Sequence, residues 1–251
     1  MQDDTLIGGH QEGFPATQAS AVIAAASADE QTRSRAHATI ITAYWKPAYK
    51  YLRIKWHRSN EDAKDLTQAF FARVIEKEFF RSYDPAQSRF RTFLRLCLDR
   101  FVANEIKAAT RIKRGGDTEL LSLDFEDADG ELLREAIPSD DSIEEYFTQE
   151  WARNIFSLAV ARLKVECETT GRTTYYQLFE KYHLSDDKSD LPISYEQLAA
   201  QFNLSMTTVT NHLASARREF RRIVLDELRS LTATQEEFRQ EARDLLGLEL
   251  P

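Results

Sequence analysis

Apolar residues recur at helical spacing along most of the chain, and no long stretch alternates between apolar and polar residues as a strand would. Glycine and proline, which interrupt regular structure, are rare, with eight Gly and six Pro in 251 residues. The pattern shows no repeat at a period of roughly 20–50 residues, so a solenoid is not expected. The sequence therefore predicts an all-α protein.

Residues 62–77 form a pattern typical of an amphipathic helix. Its predicted core stripe consists of Leu66, Phe70, Phe71, Val74 and Ile75. Its opposite face consists of Asp65, Gln68, Ala72 and Glu76. This acidic and polar face is either solvated surface or a docking face for a basic partner, and physical chemistry alone favours solvated surface.

A second amphipathic helix is predicted to begin at Phe90, after the turn signal of Asp84-Pro85, because this dipeptide biases the chain away from helix. Its inward side chains are predicted to be Phe90, Phe93, Leu94, Cys97, Leu98, Phe101 and Val102. Its outward side chains are predicted to be Arg91, Arg95, Arg100, Asn104, Lys107 and Arg111. Interleaved cations and exposed aromatics suit single-stranded nucleic acid, whereas the simpler alternative places the aromatics in the core.

A helix-turn-helix is predicted towards the C-terminus. Ser194 and Gln197 match a capping box that begins one helix, and residues 203–205 make a short turn whose Ser205 is able to cap the next. The second helix is predicted to pack through Val209, Leu213, Ala216 and Phe220. Its outward face is predicted to carry Thr208, Asn211, His212, Ser215, Arg218 and Arg222. This arrangement favours a recognition helix in the major groove over a helical hairpin with an ordinary solvated face.

Charge is distributed unevenly along the chain. Taken alone, the net charge of −8 argues against a nucleic-acid partner. However, basic residues outnumber acidic ones by about two to one between Trp45 and Gly116. The following stretch, from Asp117 to Glu150, is strongly acidic and has Arg134 as its single base. Gly115-Gly116 and Pro138 punctuate this stretch, which indicates an exposed, mobile connection after a basic module.

The remaining composition narrows the function classes. Cys97 and Cys167 are far apart and lie in no Cys/His cluster, so neither a disulfide nor a zinc site is predicted, and a reducing cytoplasm is the expected location. No apolar stretch approaches the roughly 20 residues that cross a bilayer, so no membrane partner is expected. The acidic residues lie in the connection or on helix surfaces, so no enzyme, metal or cofactor is expected.

The motifs follow one another in a familiar order. They are Tyr44-Trp45-Lys46-Pro47-Ala48-Tyr49, Asp62 to Glu76, Asp84-Pro85, Phe90-Arg91-Thr92-Phe93-Leu94, Ala103-Asn104-Glu105, Lys113-Arg114-Gly115-Gly116, Ser122-Leu123-Asp124-Phe125 and Tyr195-Glu196-Gln197-Leu198-Ala199. This succession resembles the second and fourth conserved regions of RNA polymerase sigma factors of the extracytoplasmic-function type, in the small two-domain form of the sigma-70 family. The resemblance runs from about Ile40 to Leu246 and lies in the order of the motifs.

The resemblance implies a protein that recruits RNA polymerase core to promoter DNA and assists promoter opening. The implied organisation is a flexible tail (1–35), a region 2-like domain (36–116), an acidic linker (117–145), a region 4-like helix-turn-helix domain (146–230) and a C-terminal helical extension (231–251). Such a protein can also have an anti-sigma partner. The promoter sequence, the inducing signal and any such partner are not specified by this chain.

The resemblance also assigns site residues. The implied polymerase-binding residues are Asp62, Asp65, Gln68 and Glu76. The implied minus-ten DNA-binding residues are Gln87, Ser88, Arg89, Arg91, Arg95, Arg100, Asn104 and Lys107. The implied minus-thirty-five DNA-binding residues are Thr208, Asn211, His212, Ser215, Arg218 and Arg222.

The alternative function is a stand-alone dimeric helix-turn-helix regulator, which would self-associate and bind a palindromic site without polymerase.

Overall fold

The computed structural model describes residues 20–77, 79–109, 123, 125–132, 142–184 and 193–249. The helices are α1 (Ala21–Ala24), α2 (Glu30–Lys55), α3 (Asn60–Glu76), α4 (Phe90–Ala109), α5 (Phe125–Leu132), α6 (Ile143–Thr169), α7 (Thr173–His183), α8 (Tyr195–Phe202), α9 (Met206–Ser230) and α10 (Gln235–Leu246). A 3₁₀ turn covers Phe79–Ser82. The described residues contain no strand, so the all-α prediction is confirmed for this part of the chain.

Side-chain caps explain where several helices begin. Ser59, Ser205 and Thr234 each accept a hydrogen bond from the backbone N–H three residues later, which satisfies a donor that the helix itself leaves unpaired. The capping box predicted at the start of α8 is confirmed, because Ser194 and Gln197 satisfy each other's backbone N–H groups. Each such cap contributes about 1 kcal/mol to helix stability.

Helix α2 lies at the centre of the molecule and packs against α1, α3, α5 and α6. The ring of Trp151 on α6 stacks on Tyr44 with 6.1 Å between centroids. The Asn154 side-chain amide on α6 donates to the carbonyls of Thr42 and Ala43 at 3.1 and 2.9 Å. Buried side chains of α2, α6, α9 and α10 belong to one continuous apolar cluster. Residues assigned to both predicted domains therefore belong to one core, and the division of the chain into two domains stays a prediction.

The acidic connection predicted between the domains contains a packed helix. Phe125 of α5 is buried edge-on against Trp45 and Tyr49 of α2. Lys46 pairs with Asp127 and with Glu131 of α5, both at 2.8 Å. Residues 125–132 are therefore not an exposed connection, because an apolar stripe and ion pairs fix them to α2. Gly115-Gly116 and Pro138, which also belong to this prediction, lie outside the described residues.

A buried ion pair links α2 to α6. The Lys50 ammonium lies 2.7 Å from the Glu150 carboxylate, and the two side chains are only 1% and 2% exposed. Lys50 also pairs with Glu131 of α5 at 2.9 Å. A buried charge without its partner is costly, so the two ion pairs of Lys50 hold α2, α5 and α6 together.

Within the described part of the chain, no helix combines the length and the apolar character needed to cross a membrane.

Candidate nucleic-acid interface

The acidic face of α3 is turned to solvent. Phe70, Phe71 and Val74 are buried, and the helical period places Asp62 and Asp65 on the other side, where both are exposed. Gln68 is half-buried on the same face. Glu76 is exposed at the end of the helix, where a hydrogen bond and the charge of Lys77 lower the pKa of its carboxyl. The face is therefore accessible to a basic partner.

The segment before α4 forms a locally bonded turn. The Asp84 carboxylate accepts hydrogen bonds from the Ala86 backbone at 3.0 Å and from the Gln87 side chain at 2.9 Å. Gln87 is exposed and Ser88 is half-buried, with the Ser88 carbonyl accepting a hydrogen bond from the Tyr83 hydroxyl. The chain thus presents Gln87 outward at the position predicted for a minus-ten contact.

Phe90 belongs to the core at the start of α4. Its ring is fully buried and packs edge-on against Tyr83 and Tyr44. Phe101 is also buried, and Phe93 is half-buried. Of the two alternatives for these aromatics, the core is the outcome for Phe90 and Phe101.

Arg91 and Arg95 are not exposed on α4, contrary to the sequence-based expectation. They are only 9% and 6% exposed. The Arg91 guanidinium lies over the Trp151 ring at 5.3 Å, and Arg95 pairs with Glu144 at 2.8 Å. Helix α6 brings both partners onto the side of α4 that its own periodicity marks as polar.

The other end of α4 keeps an open polar face. Arg100, Asn104 and Lys107 are exposed there, as predicted, whereas Arg111 lies outside the described residues. Arg100 and Asn104 line a cavity of about 310 Å³ between α3 and α4, together with Arg73. Sequence reasoning missed Arg73, because the period of α3 does not reveal which neighbouring helix its exposed residues face.

A neutral thiol lines the same cavity. Burial raises the pKa of Cys97 to about 11, and the charge of Arg100 opposes this only in part. At neutral pH the thiol is therefore protonated and contributes no charge of its own. The polar lining of the cavity combines Arg73, Arg100 and Asn104 with Ser82 and one carboxylate, that of Glu105. The Arg and Asn side chains are groups that hydrogen-bond to phosphates and bases.

Helices α8 and α9 form the predicted helix-turn-helix. Asn203 adopts a left-handed conformation with φ of 52° at the end of α8, and the Ser205 hydroxyl then caps α9 by accepting from the Thr208 N–H. The shared core of this unit comprises Leu178, Leu198, Ala199, Val209 and Leu213. Leu178 comes from α7, a third helix of the unit that sequence reasoning did not predict, although Tyr176 and Phe179 lie at helical spacing and are buried beside it.

The outward face of α9 agrees with prediction at its centre. Asn211 and Arg218 are exposed, and they are seven residues apart, which is about two helical turns on one face. Ser215 is half-buried between them, and Thr208 is half-buried about one turn before Asn211. The Thr208 hydroxyl hydrogen-bonds that of Ser205 at 2.8 Å, and the Ser215 hydroxyl accepts from Arg218 at 2.9 Å.

Two residues predicted for this face have other contacts. His212 stacks on Tyr175 of α7 with 4.1 Å between ring centroids, and its Nδ1 atom is buried without a hydrogen-bond partner. Arg222 pairs with Glu219, Asp226 and Glu166 at 2.8, 2.9 and 2.5 Å. His212 is therefore half-buried against α7, contrary to the prediction, because α7 supplies a ring that α9 alone does not reveal. Arg222 is exposed, as predicted, and its pair with Glu166 also joins it to α6.

Helix α10 brings an acidic surface onto the beginning of α4. The Glu237 carboxylate accepts hydrogen bonds from the Phe90 backbone at 2.6 Å and from the Tyr83 hydroxyl at 3.0 Å. Glu241 pairs with Arg91 at 2.5 Å, and Asp244 pairs with Arg89. Burial raises the pKa of the Glu241 carboxyl to about 7, although Arg91 and Arg89 act in the opposite direction.

This chain matches no protein-family model, no curated protein and no solved structure at a significant level. The relation to sigma factors therefore stays a prediction from sequence.

Among the described residues, no group of three or more His, Cys, Asp or Glu side chains is arranged to hold a metal ion. The candidate site consists of the polar surfaces of α3, α4 and α9 to which the sequence-based prediction assigns binding roles.

Proposed function

We propose that this protein is a sigma factor of the extracytoplasmic-function type, which directs RNA polymerase to specific promoters and assists promoter opening. The observation that carries the proposal is the α8–α9 helix-turn-helix, whose outward face presents Asn211 and Arg218 to solvent. A polar face of this kind fits the major groove, where amides read base edges and guanidinium groups bind phosphates or guanine.

The other surfaces have separate roles in this proposal. The exposed carboxylates of Asp62 and Asp65 bind a basic surface of core polymerase. Arg100, Asn104 and Lys107 on α4 follow the separated promoter strand, with Arg73 as an additional cation at the same cavity. The order of motifs along the chain supports this assignment, because it resembles that of sigma regions 2 and 4.

Reconstitution with purified core polymerase tests the proposal. The protein should co-purify with core polymerase, and transcription from a genomic fragment library should start at a defined set of promoters only when both are present. Free protein should bind those promoters far more weakly than the complex does, because its own acidic residues compete with DNA for its basic surfaces. Equal affinity with and without core polymerase would instead identify a stand-alone dimeric regulator.

Asn211 and Arg218 should give different phenotypes. Asn211→Ala should change which minus-thirty-five sequences are used and cost about 1–3 kcal/mol on the preferred one, because a base contact is lost. Arg218→Ala should weaken binding to all promoters alike and flatten the salt dependence, because a phosphate contact is lost. Transcription from a randomised minus-thirty-five library measures both effects. An unchanged preference in Asn211→Ala would show that a different face of α9 enters the groove.

A further inference from the structure

Helix α10 lies against the part of α4 where three cationic or hydrogen-bond-donating groups converge. We propose that α10 is an autoinhibitory helix, whose carboxylates occupy the nucleic-acid phosphate-binding groups of Arg89, Arg91 and the first turn of α4 until a nucleic-acid strand displaces it. The inference deepens the proposed function, since it describes how the minus-ten surface of that function is regulated.

A carboxylate of α10 binds the backbone at the start of α4. Backbone N–H groups at a helix N-terminus are unpaired within the helix and bind anions, including phosphates. Here the Glu237 carboxylate accepts from the Phe90 N–H at 2.6 Å, and its second oxygen accepts from the Ala233 N–H at 2.8 Å. A side chain 147 residues away in the sequence thus supplies the anion at this position.

Two further carboxylates of α10 bind the pair of arginines at the start of α4. Arg89 lies beside Asp244 and at 3.6 Å from Glu241, and Arg91 lies 2.5 Å from Glu241 and 3.6 Å from Asp244. The two guanidinium groups thus share two carboxylates in the way that they would share phosphate oxygens. Each arginine predicted for minus-ten binding at this end of α4 is therefore neutralised from within the chain.

Helix α10 is a short helix that is attached by a small apolar stripe and by its carboxylates. Its buried apolar side chains are Phe238 and Ala242, while Leu245 and Leu246 are half-buried. A helix of 12 residues is marginal in water without such packing. The polar part of its attachment consists of Glu237, Glu241 and Asp244, which are the groups that a polyanion replaces.

A double substitution, Glu241→Gln with Asp244→Asn, tests the inference while leaving the backbone hydrogen bonds of Glu237 in place. The matched control is Glu236→Gln with Glu249→Gln, which likewise replaces two carboxylates by amides, at exposed positions in and next to α10. The readout is fluorescence anisotropy of a labelled single-stranded DNA oligonucleotide of mixed sequence, without polymerase. The double variant should bind about tenfold more tightly than the parent, because a larger fraction of molecules has the surface open.

The control variant should bind like the parent, and adding Arg89→Gln to the double variant should remove the gain. Equal affinity of the parent and the double variant would overturn the inference. Amide hydrogen exchange of the unaltered protein gives a second test that does not depend on how the variants fold. Adding the oligonucleotide should speed exchange in residues 235–246, and unchanged or slower exchange would also overturn the inference.

These outcomes are separable from the fate of the proposed function. If the protein failed to bind core polymerase while the double variant still gained affinity for the oligonucleotide, the sigma-factor proposal would fall and the autoinhibitory helix would stand. If the protein bound core polymerase but neither test showed displacement of α10, the inference alone would fall.

Discussion

Reversing one charge on α3, with Asp65→Arg, is expected to weaken binding to core polymerase by about 2–5 kcal/mol, which is roughly thirtyfold or more in affinity. Asp65 is exposed in the free protein, so its replacement does not disturb the core on the buried side of α3. In the proposed complex, an arginine at this position would face the basic surface that we propose for core polymerase. Fluorescence or surface-based titration of core polymerase measures the change, and circular dichroism checks that the variant is folded.

Glu168→Arg provides the matched control for this experiment. Glu168 is also an exposed acidic residue on a helix, but it lies near the end of α6 and outside the acidic face of α3. The same reversal of charge there should leave the affinity for core polymerase nearly unchanged. If Asp65→Arg bound as well as Glu168→Arg, the docking face would have to lie elsewhere on the molecule.

Helices whose apolar residues recur with a clear helical period, and so form a single apolar stripe, were predictable from sequence. The α8–α9 unit is the best example, since the cap residues Ser194 and Ser205 are local signals that act over three residues. Helix α5 was not predicted, because its eight residues lie in an acidic stretch whose composition indicates an exposed connection. Its position depends on Phe125 meeting two aromatic rings of α2, which is a tertiary contact.

The candidate site was predictable where it depends on one helix and not where helices meet. Asp65 and Asn211 are exposed as their helical positions predict. Arg91 and His212 also lie at positions that appear polar within their own helices, yet Glu241 of α10 covers one and Tyr175 of α7 stacks on the other. A hydrophobic period identifies the most apolar face of a helix, but it does not show which polar residues a distant segment will cover.

Breaking the ion pair between α2 and α6 is expected to have the largest effect on stability. Lys50→Met replaces the ammonium by an apolar group of similar length and leaves the Glu150 carboxylate buried, with Arg153 as its remaining ion-pair partner on α6. The side chain of Arg153 is 58% exposed, so its charge is screened by water and compensates Glu150 less well than Lys50 does. Removing one partner of a buried pair costs about 3–5 kcal/mol.

Lys64→Met is the control for this substitution, because Lys64 pairs on the surface with Glu61, whose side chain is 81% exposed. Loss of a surface pair should change the free energy of unfolding by less than about 1 kcal/mol. Urea denaturation of both variants gives the comparison. The double variant Lys50→Met with Glu150→Gln should recover part of the loss, since it removes the buried charge left without its principal partner. Equal stability of Lys50→Met and Lys64→Met would show that the buried pair does not hold α2 and α6 together.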